Sequence, residues 1–163
     1  MSEDVIVALG SNVGNRYQNL VDAKTFLTQL SSKKVLSSSI YESEPIGPSD
    51  RRYFNAVIIM HTDVDPFVLL RKFKEYESNC GRDLNARRWS SRIIDLDIIA
   101  YGNEIITTKE LIIPHAEFSR RLFVLLPMGE IIPDWKDPQN GRSLKELIQA
   151  APEMDITKLD FDW

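Results

Sequence analysis

Cysteine is nearly absent from the sequence, and this limits what can hold the fold together. Cys80 is the only cysteine among the 163 residues, so the chain cannot form an internal disulfide. Its stability must then come from the burial of apolar side chains, which suits a reducing cytoplasm. We interpret Cys80 as a small buried thiol rather than as a nucleophile.

Long apolar runs and a basic leader are also missing. The longest apolar runs extend over only a few residues, whereas a membrane-spanning helix needs about 20. Residues 1–4 are acidic, whereas a signal peptide places basic residues ahead of its apolar core. We therefore expect a soluble cytoplasmic protein that has no membrane partner.

The sequence has no excess of positive charge. Its formal net charge is -4, and because nucleic-acid binding draws mainly on positive charge, we expect no nucleic-acid partner. The acidic excess lies in residues 130–163, which carry four basic and eight acidic residues. A glycine-rich GxxxxGK[ST] segment is absent as well, so a bound nucleotide would not be held by a P-loop.

What is present is the composition of an ordinary globular protein, 43% hydrophobic and 27% charged, over a length that fits one domain, residues 1–163. Apolar periodicity places strands near residues 5–9, 35–41, 54–62 and 93–101, and helices near residues 16–30 and 65–81. This order predicts an α+β fold with a ferredoxin-like βαββαβ core, a mainly antiparallel sheet with both helices on one face.

Turns and additions complete the predicted fold. We place Gly10 in the turn that ends the first strand, and we predict polar loops over residues 42–52 and 81–92. Loops of this length are often functional. The C-terminal additions are short strands near residues 105–106 and 111–113, a helical turn near 120–126 and a final helix near 143–150.

The last predicted core strand carries two aspartates on one face. Alternation puts Asp95 and Asp97 side by side, with Cα atoms about 6.6 Å apart, and turns Ile94, Leu96, Ile98 and Ala100 to the other face. Paired carboxylates repel unless a cation lies between them, and carboxylate oxygens suit Mg²⁺. The alternative is a solvated sheet face, which fits less well because aspartate is depleted in strands.

Two cationic segments accompany the aspartates. The loop ahead of the strand holds four arginines, Arg82, Arg87, Arg88 and Arg92, around Trp89. Arginine forks match phosphate oxygens, and a tryptophan among them indicates a lid over a flat ligand. The alternatives are a solvated loop or plain ion pairs, which contribute little at a surface.

The second segment starts at His115, which follows a proline and precedes Arg120, Arg121 and Phe123. A structural histidine is the default interpretation, but its arginine neighbours make His115 a candidate for phosphate contact.

Four segments together resemble one family. They read Ala-Leu-Gly-Ser-Asn at residues 8–12, Tyr-Phe-Asn-Ala-Val at 53–57, Gly-Arg through Arg-Trp and Arg to Asp-Leu-Asp at 81–97, and Pro-His through Arg to Phe at 114–123. From about residue 5 to 133 the chain resembles the 6-hydroxymethyl-7,8-dihydropterin pyrophosphokinases of folate biosynthesis. The resemblance implies a monomeric, Mg²⁺-dependent enzyme that transfers pyrophosphate from ATP to the pterin hydroxymethyl group and releases AMP.

The resemblance also implies roles for individual residues. Asp95 and Asp97 would hold two Mg²⁺ ions, and Arg82, Arg92 and Asp97 would be catalytic. The ATP-binding residues would be Arg82, Arg88, Arg92, His115 and Arg121. The pterin-binding residues would be Ser43, Glu44, Ile46, Tyr53, Asn55, Trp89, Asp95 and Phe123. Glu77 lies where family members often have a polar residue near the site, but a helix-surface carboxylate explains it as well.

The chain departs from the family pattern in its loop, with Leu84 for a common arginine, Ser90-Ser91 for Gly-Pro and, further on, Ala116. The main alternative function is a non-catalytic ferredoxin-like module that binds nucleotides or nucleic acid. On its sheet face, however, Asp95 and Asp97 would repel phosphate without a metal. A purely structural interaction domain would leave the arginine loop unexplained.

Overall fold

The computed structural model of the chain describes residues 2–45, 50–80 and 93–163. Its elements are β1 (Glu3–Ser11), α1 (Arg16–Leu30), β2 (Leu36–Ser37), β3 (Tyr41–Ser43), β4 (Tyr53–Thr62), α2 (Pro66–Asn79), β5 (Asp95–Tyr101), β6 (Ile106–Thr107), β7 (Ile112–Ile113), a 3₁₀ turn (Phe118–Arg120), α3 (Leu122–Ile131), α4 (Leu144–Ala150) and β8 (Ile156–Lys158). Helices packed on a sheet confirm the predicted α+β class, and the ferredoxin-like assignment stays a prediction.

The main sheet has the order β5-β1-β4-β3-β8, with β2 also paired to β4. Each of these pairings is antiparallel, as predicted. The central strand β1 is paired along its length, from Glu3 opposite Thr62 to Ser11 opposite Phe54. Strands β6 and β7 form a separate hairpin.

Both faces of the sheet are covered by helices. As predicted, α1 and α2 share one face, where Leu20, Leu27 and Phe73 pack on the sheet with no exposed side-chain surface. The other face carries a second apolar cluster, in which Ile6, Ala8 and Val57 of the sheet pack against α3 and α4. The aspartates of β5 therefore lie on a face that the C-terminal helices partly cover, not on an open solvated one.

Local capping explains why α1 and α2 begin where the sequence predicts. Asn15 accepts a hydrogen bond from the Gln18 backbone N–H, and Asp65 accepts one from Phe67, with Pro66 in the first position of α2. Such caps stabilise a helix by about 1 kcal/mol each and depend only on neighbouring residues.

Two strand predictions are wrong in detail. Strand β1 does not end before Gly10, because Gly10 pairs with Asn55 on one side and with Asp95 on the other. The predicted strand 35–41 is divided into β2 and β3. At the break the Ser38 backbone N–H still donates to the Val57 carbonyl. The Val57 N–H donates in return to the Ser38 hydroxyl, at 2.9 Å, and not to the Ser38 carbonyl.

The predicted alternation of β5 holds only as far as Ile98. Ile6 pairs with Ala100 and Val7 with Ile98, so Ile99 is an extra residue in the ladder. A bulge of this kind changes the side-chain phase, and Ala100 joins Ile99 on the α3 face instead of sharing the face of Ile98. Asp95 and Asp97 precede the bulge and keep their common face.

The C-terminal region differs most from prediction. The helical turn expected near residues 120–126 covers the end of the 3₁₀ turn and the beginning of a ten-residue helix, α3. The edge strand β8 was not predicted. The final helix α4 is confirmed, with Ser143 as its cap. Cys80 is half-buried at the end of α2 rather than fully enclosed. Among the described residues, no helix is long and apolar enough to cross a membrane.

Candidate active site

A cavity of about 240 Å³ opens where β1, β4 and β5 lie side by side and α3 begins. We call this space the cavity. Eight predicted site residues, from four separate stretches of the chain, line it: Ser43, Glu44, Tyr53, Asn55, Asp95, Asp97, Arg121 and Phe123. The fold therefore brings together residues that lie up to 80 positions apart in the chain.

The floor of the cavity is formed by β1. Gly10 pairs with both Asn55 and Asp95, and Ala8 pairs with Asp97. Ala8, Leu9, Gly10 and Val124 line the cavity, although sequence reasoning gave them no role at the site. The sequence did contain a signal for this space. Ala8 and Gly10 are small residues at positions i and i+2 of a strand, and such residues leave room on one face of the sheet.

The two aspartates stand at the beginning of β5, and both are half-buried. Tyr53 lies close enough to Asp95 for the charge of that carboxylate to change the pKa of the tyrosine. Burial raises the pKa of the Tyr53 hydroxyl, and the Asp95 carboxylate raises it further. Asp95, Tyr53 and Asn55 thus form one continuous polar wall of the cavity.

Hydrogen bonds fix the backbone around the aspartates. The Ser11 hydroxyl donates to the Ile93 carbonyl at 2.6 Å, and the Asn19 amide donates to the Ser11 hydroxyl at 3.0 Å. On the other side of β5, Glu77 Oε2 accepts a hydrogen bond from the Leu96 backbone N–H at 3.1 Å. These contacts hold the stretch of β5 that carries Asp95 and Asp97.

Glu77 is not a helix-surface carboxylate, and that interpretation of the sequence is wrong. Only 4% of the residue is exposed, because α2 turns this face toward β5. Lys74, which is exposed on the same helix, places its Nζ atom 4.0 Å from Glu77 Oε1. The hydrogen bond to Leu96 places Glu77 directly behind the aspartate pair.

The Asn55 side chain has a fixed orientation. Its Nδ2 donates to the Ser43 hydroxyl at 2.8 Å and to the Tyr41 carbonyl at 3.2 Å, and the residue is 3% exposed. Both amide hydrogens are therefore engaged, and Oδ1 is left as an acceptor beside Gly10. The cavity presents an acceptor at this point and favours a ligand with a donor edge.

His115 and Arg121 lie at the α3 side of the site. The Arg121 guanidinium carbon is 5.6 Å from the centre of the Phe123 ring. The backbone N–H of Glu117 donates to His115 Nδ1 at 3.1 Å, so the ring proton is on Nε2. Burial lowers the pKa of His115 and Arg121 lowers it further, against the opposing charge of Asp97. His115 is thus within electrostatic reach of both residues, but it does not line the cavity.

The remaining predicted site residues, Ile46, Arg82, Arg88, Trp89 and Arg92, lie outside the described residues. Within the described ranges, no group of three or more histidine, cysteine or acidic side chains is placed to hold a metal ion. Asp95 and Asp97 offer two carboxylates, which fits a hard cation such as Mg²⁺ when phosphates and water supply the other ligands.

Comparison with known proteins decides the family. The model of the 7,8-dihydro-6-hydroxymethylpterin-pyrophosphokinase (HPPK) family matches residues 6–133. The chain belongs to this family. The HPPK relative from Haemophilus influenzae, a 2-amino-4-hydroxy-6-hydroxymethyldihydropteridine pyrophosphokinase, is 39% identical over 156 residues, which cover 94% of this chain and 96% of the relative. The family resemblance inferred from the four sequence segments is confirmed.

A second relative supports the HPPK assignment, and a solved structure matches the fold. The Bacillus subtilis protein of the same name is 40% identical over 133 residues, which cover 80% of this chain and 79% of the relative. A crystal structure of Plasmodium falciparum HPPK-DHPS with pteroate is similar in fold, with a TM-score of 0.72 at 15% identity. That similarity covers 91% of this chain and 42% of the Plasmodium chain.

Proposed function

We propose that the cavity between β1, β4, β5 and α3 is where this chain carries out the HPPK reaction. As a member of the family, the chain transfers pyrophosphate from ATP to hydroxymethyldihydropterin in folate synthesis. The assignment to the cavity rests on one observation: eight predicted site residues, from four separate stretches of the chain, line it together. The family match comes from the sequence, whereas the convergence of these residues in one cavity is a property of the fold.

The pterin is proposed to lie between Tyr53 and Phe123 with its polar edge on Asn55. A flat heterocycle fits between aromatic rings, and the Asn55 Oδ1 atom is free to accept from a ring N–H or an amino group. Ser43 holds the Asn55 amide in this orientation. The residues proposed around the pterin are those predicted from the sequence: Ser43, Glu44, Ile46, Tyr53, Asn55, Trp89, Asp95 and Phe123.

The triphosphate of ATP is proposed to lie against Asp95, Asp97 and Arg121. The two carboxylates fit Mg²⁺, and the family pattern predicts two ions. Bound there, Mg²⁺ would neutralise charge on the phosphate oxygens. Arg121 stands at the beginning of α3, where the helix dipole adds partial positive charge. Arg82, Arg88, Arg92 and His115 complete the proposed ATP-binding set.

The chemistry asks the protein for positioning and charge stabilisation. The oxygen of the pterin hydroxymethyl group attacks the β-phosphorus, and the bond from that phosphorus to the oxygen leaving with AMP breaks. The hydroxyl proton leaves to Asp97 or to solvent. Arg82 and Arg92 are proposed to stabilise negative charge that develops in the transition state. This proposal requires no protein nucleophile.

We retain two further predictions as proposals, a monomer and a cytoplasmic location. The lone cysteine supports a reducing compartment. Small-molecule substrates account for the cavity without a macromolecular partner.

An AMP-release assay tests the proposed function. Purified protein with ATP, hydroxymethyldihydropterin and Mg²⁺ should release AMP, and omission of the pterin or chelation of the metal should stop it. Asp97→Asn should lower kcat by a factor on the order of a hundred or more, the scale set by losing one charge-stabilising group. Asp134→Asn, which alters an exposed carboxylate outside the cavity lining, is the control. Nucleotide binding with no AMP release would support the non-catalytic alternative.

A further inference from the structure

We propose that the C-terminal tail, residues 152–163, positions the wall of the cavity that contacts the pterin. This inference rests on the proposed placement of the pterin against Ser43 and Asn55. The tail lies beyond the HPPK match, which ends at residue 133. The pterin affinity of this chain would then depend on residues outside the segments that identify its family.

The tail supplies a strand that encloses β3. Strand β3 has three residues and carries Ser43, which pairs with Tyr53 on its inner side. On its outer side Ser43 pairs with Ile156 of β8. So short a strand at a sheet edge is marginal by itself, and β8 moves it into the interior of the sheet.

Backbone bonds between the tail and β3 continue at both ends of the pairing. The Leu159 N–H donates to the Ile40 carbonyl at 2.8 Å, and the Glu44 N–H donates to the Asp155 carbonyl at 3.0 Å. Hydrogen-bonded pairs recur at every second position of an antiparallel ladder. Thr157, opposite Glu42, is therefore the hydrogen-bonded partner between these two.

The tail also fixes the direction of the Glu44 side chain. The Asp155 N–H donates to Glu44 Oε1 at 3.0 Å, which makes the contact between the two residues reciprocal. The carboxylate of Glu44 thus points to the tail, although the residue lines the cavity. Glu44 then offers the cavity its backbone and the stem of its side chain, not its charge.

A chain of ion pairs ties the tail to the residue before Tyr53. Asp155 Oδ2 lies 3.2 Å from Arg52 Nη1, and Arg52 Nε lies 3.7 Å from Glu42 Oε1. Glu42 Oε2 is 3.2 Å from Arg16 Nη1, and that same nitrogen donates to the Arg52 carbonyl at 2.9 Å. Partly exposed pairs contribute little free energy each, so their effect is on the geometry of the wall.

The end of the tail is anchored to α1 and to the segment that precedes β3. Trp163 Nε1 donates to the Ser38 carbonyl at 2.8 Å, and Lys24 Nζ lies 4.9 Å from the centre of the Trp163 ring. Phe161 packs edge-on against Phe54 and Tyr17 with ring centres 5.9 and 5.7 Å apart. The tail is therefore held at both ends, with β8 stretched between them.

These contacts concern the pterin side of the cavity rather than the ATP side. Asp95 and Asp97 are on β5, and Arg121 is at the start of α3. The tail instead contacts β3, α1 and the end of the loop that precedes β4. Lys158 does reach α3, at Glu130 with a separation of 3.8 Å, but at the far end of that helix. A loosened tail should thus weaken pterin binding more than nucleotide binding.

The test compares two substitutions of one exposed residue in the full-length chain. Thr157→Pro removes the N–H that the ladder requires, whereas Thr157→Ala keeps it and serves as the matched control. Calorimetric titration with α,β-methylene ATP and Mg²⁺ gives the nucleotide Kd, and titration of that complex with the pterin gives the second Kd. We expect Thr157→Pro to weaken pterin binding about tenfold, the scale of one or two lost hydrogen bonds, with nucleotide binding unchanged within about twofold.

Hydrogen exchange separates positioning from general stability. In Thr157→Pro the amides of residues 41–45 should exchange faster, while those of β5 keep their rates. Trp163→Ala, which leaves the ladder residues intact, should give a smaller pterin-specific loss and keeps the test open if the proline variant does not fold. Unchanged pterin affinity, or equal losses for both ligands, would overturn the inference. A wild-type chain that binds nucleotide but no pterin would instead show that the proposed function has failed.

Discussion

At the scale of single residues, Gly10 determines how much room the cavity floor leaves for a ligand. A Cβ atom placed on Gly10 would lie 3.7 Å from Asn55 Oδ1 and 3.7 Å from the Tyr53 ring. These are ordinary contacts, so Gly10→Ala should fold normally and gain up to about 1 kcal/mol, because alanine loses less backbone entropy in a strand. The added methyl group occupies ligand space, so KM for the pterin should rise while thermal stability is kept.

The control for Gly10→Ala is Gly129→Ala on α3. There the nearest atom to an added Cβ is Ile148 Cδ1 at 3.5 Å, away from the cavity lining. Steady-state kinetics with pterin varied at saturating ATP, and the reverse, separate the two substrates. An unchanged KM for pterin in Gly10→Ala would place the ligand elsewhere.

Glu77 is the second residue whose environment leads to a prediction. Its buried carboxylate accepts from the Leu96 N–H, between the two aspartates. Glu77→Ala leaves that N–H without its acceptor, at a cost of about 1–3 kcal/mol in the free energy of unfolding, and should lower kcat by disturbing β5. Glu77→Gln keeps an acceptor oxygen and should recover part of both losses.

Denaturant unfolding and the AMP-release rate measure these two effects. Glu75→Ala, at an exposed position of the same helix, should change neither. A Glu77→Ala enzyme with normal kcat would mean that β5 holds the aspartate pair without help from α2.

At the scale of elements, Glu130 links α3 to β3 and to the segment that precedes it. Its carboxylate accepts from the Tyr41 hydroxyl at 2.8 Å and from the Ser39 N–H at 2.9 Å. Burial alone would raise the pKa of Glu130, but the hydrogen bonds from Tyr41 and Ser39 and the charge of Lys158 lower it overall below 4.5. A lowered folded-state pKa stabilises the fold above the unfolded pKa, and this contribution disappears as pH falls through the folded value.

Glu130→Gln should therefore reduce stability at pH 7 by about 1 kcal/mol or less, since the residue is partly exposed. The difference from wild type should shrink as the pH is taken below about 4.5, the range in which the unfolded carboxyl gains a proton. Urea unfolding at several pH values measures it, with Glu153→Gln at an exposed site as control. A difference that stays constant down to pH 3 would contradict the linkage.

The elements also show what could be predicted from the sequence and why. Helix α1 has the predicted bounds, because its apolar stripe and its Asn15 cap are local features. The Asp95 and Asp97 pair was recognisable for the same reason, as alternation in a strand. Strand β8 was not predictable, since its partner β3 lies more than a hundred positions away and its own residues carry no strand pattern. The bulge at Ile99 and the burial of Glu77 likewise depend on neighbouring elements.

At the scale of the whole molecule, the net charge of the chain and the charge of the proposed site come from different parts of the sequence. The net negative charge of the chain lies in residues 130–163, which include the tail that supports β3. The charge that matters for ATP is local, two carboxylates facing a triphosphate. Without a cation these groups repel each other, so the net charge of the chain says little about nucleotide affinity.

This locality leads to a prediction for the stability of the entire chain. A ligand that binds only the folded state at a hundred times its Kd adds about 2.7 kcal/mol, which is about 5–10 °C in Tm for a chain of this size. We expect α,β-methylene ATP to give such a shift with Mg²⁺ and almost none with a chelator, since Asp95 and Asp97 then repel the phosphates. The chelator alone should leave the Tm of the unliganded chain unchanged. Asp97→Asn should lose most of the Mg²⁺-dependent shift, and an equal shift with and without the chelator would favour a nucleotide-binding module that needs no metal.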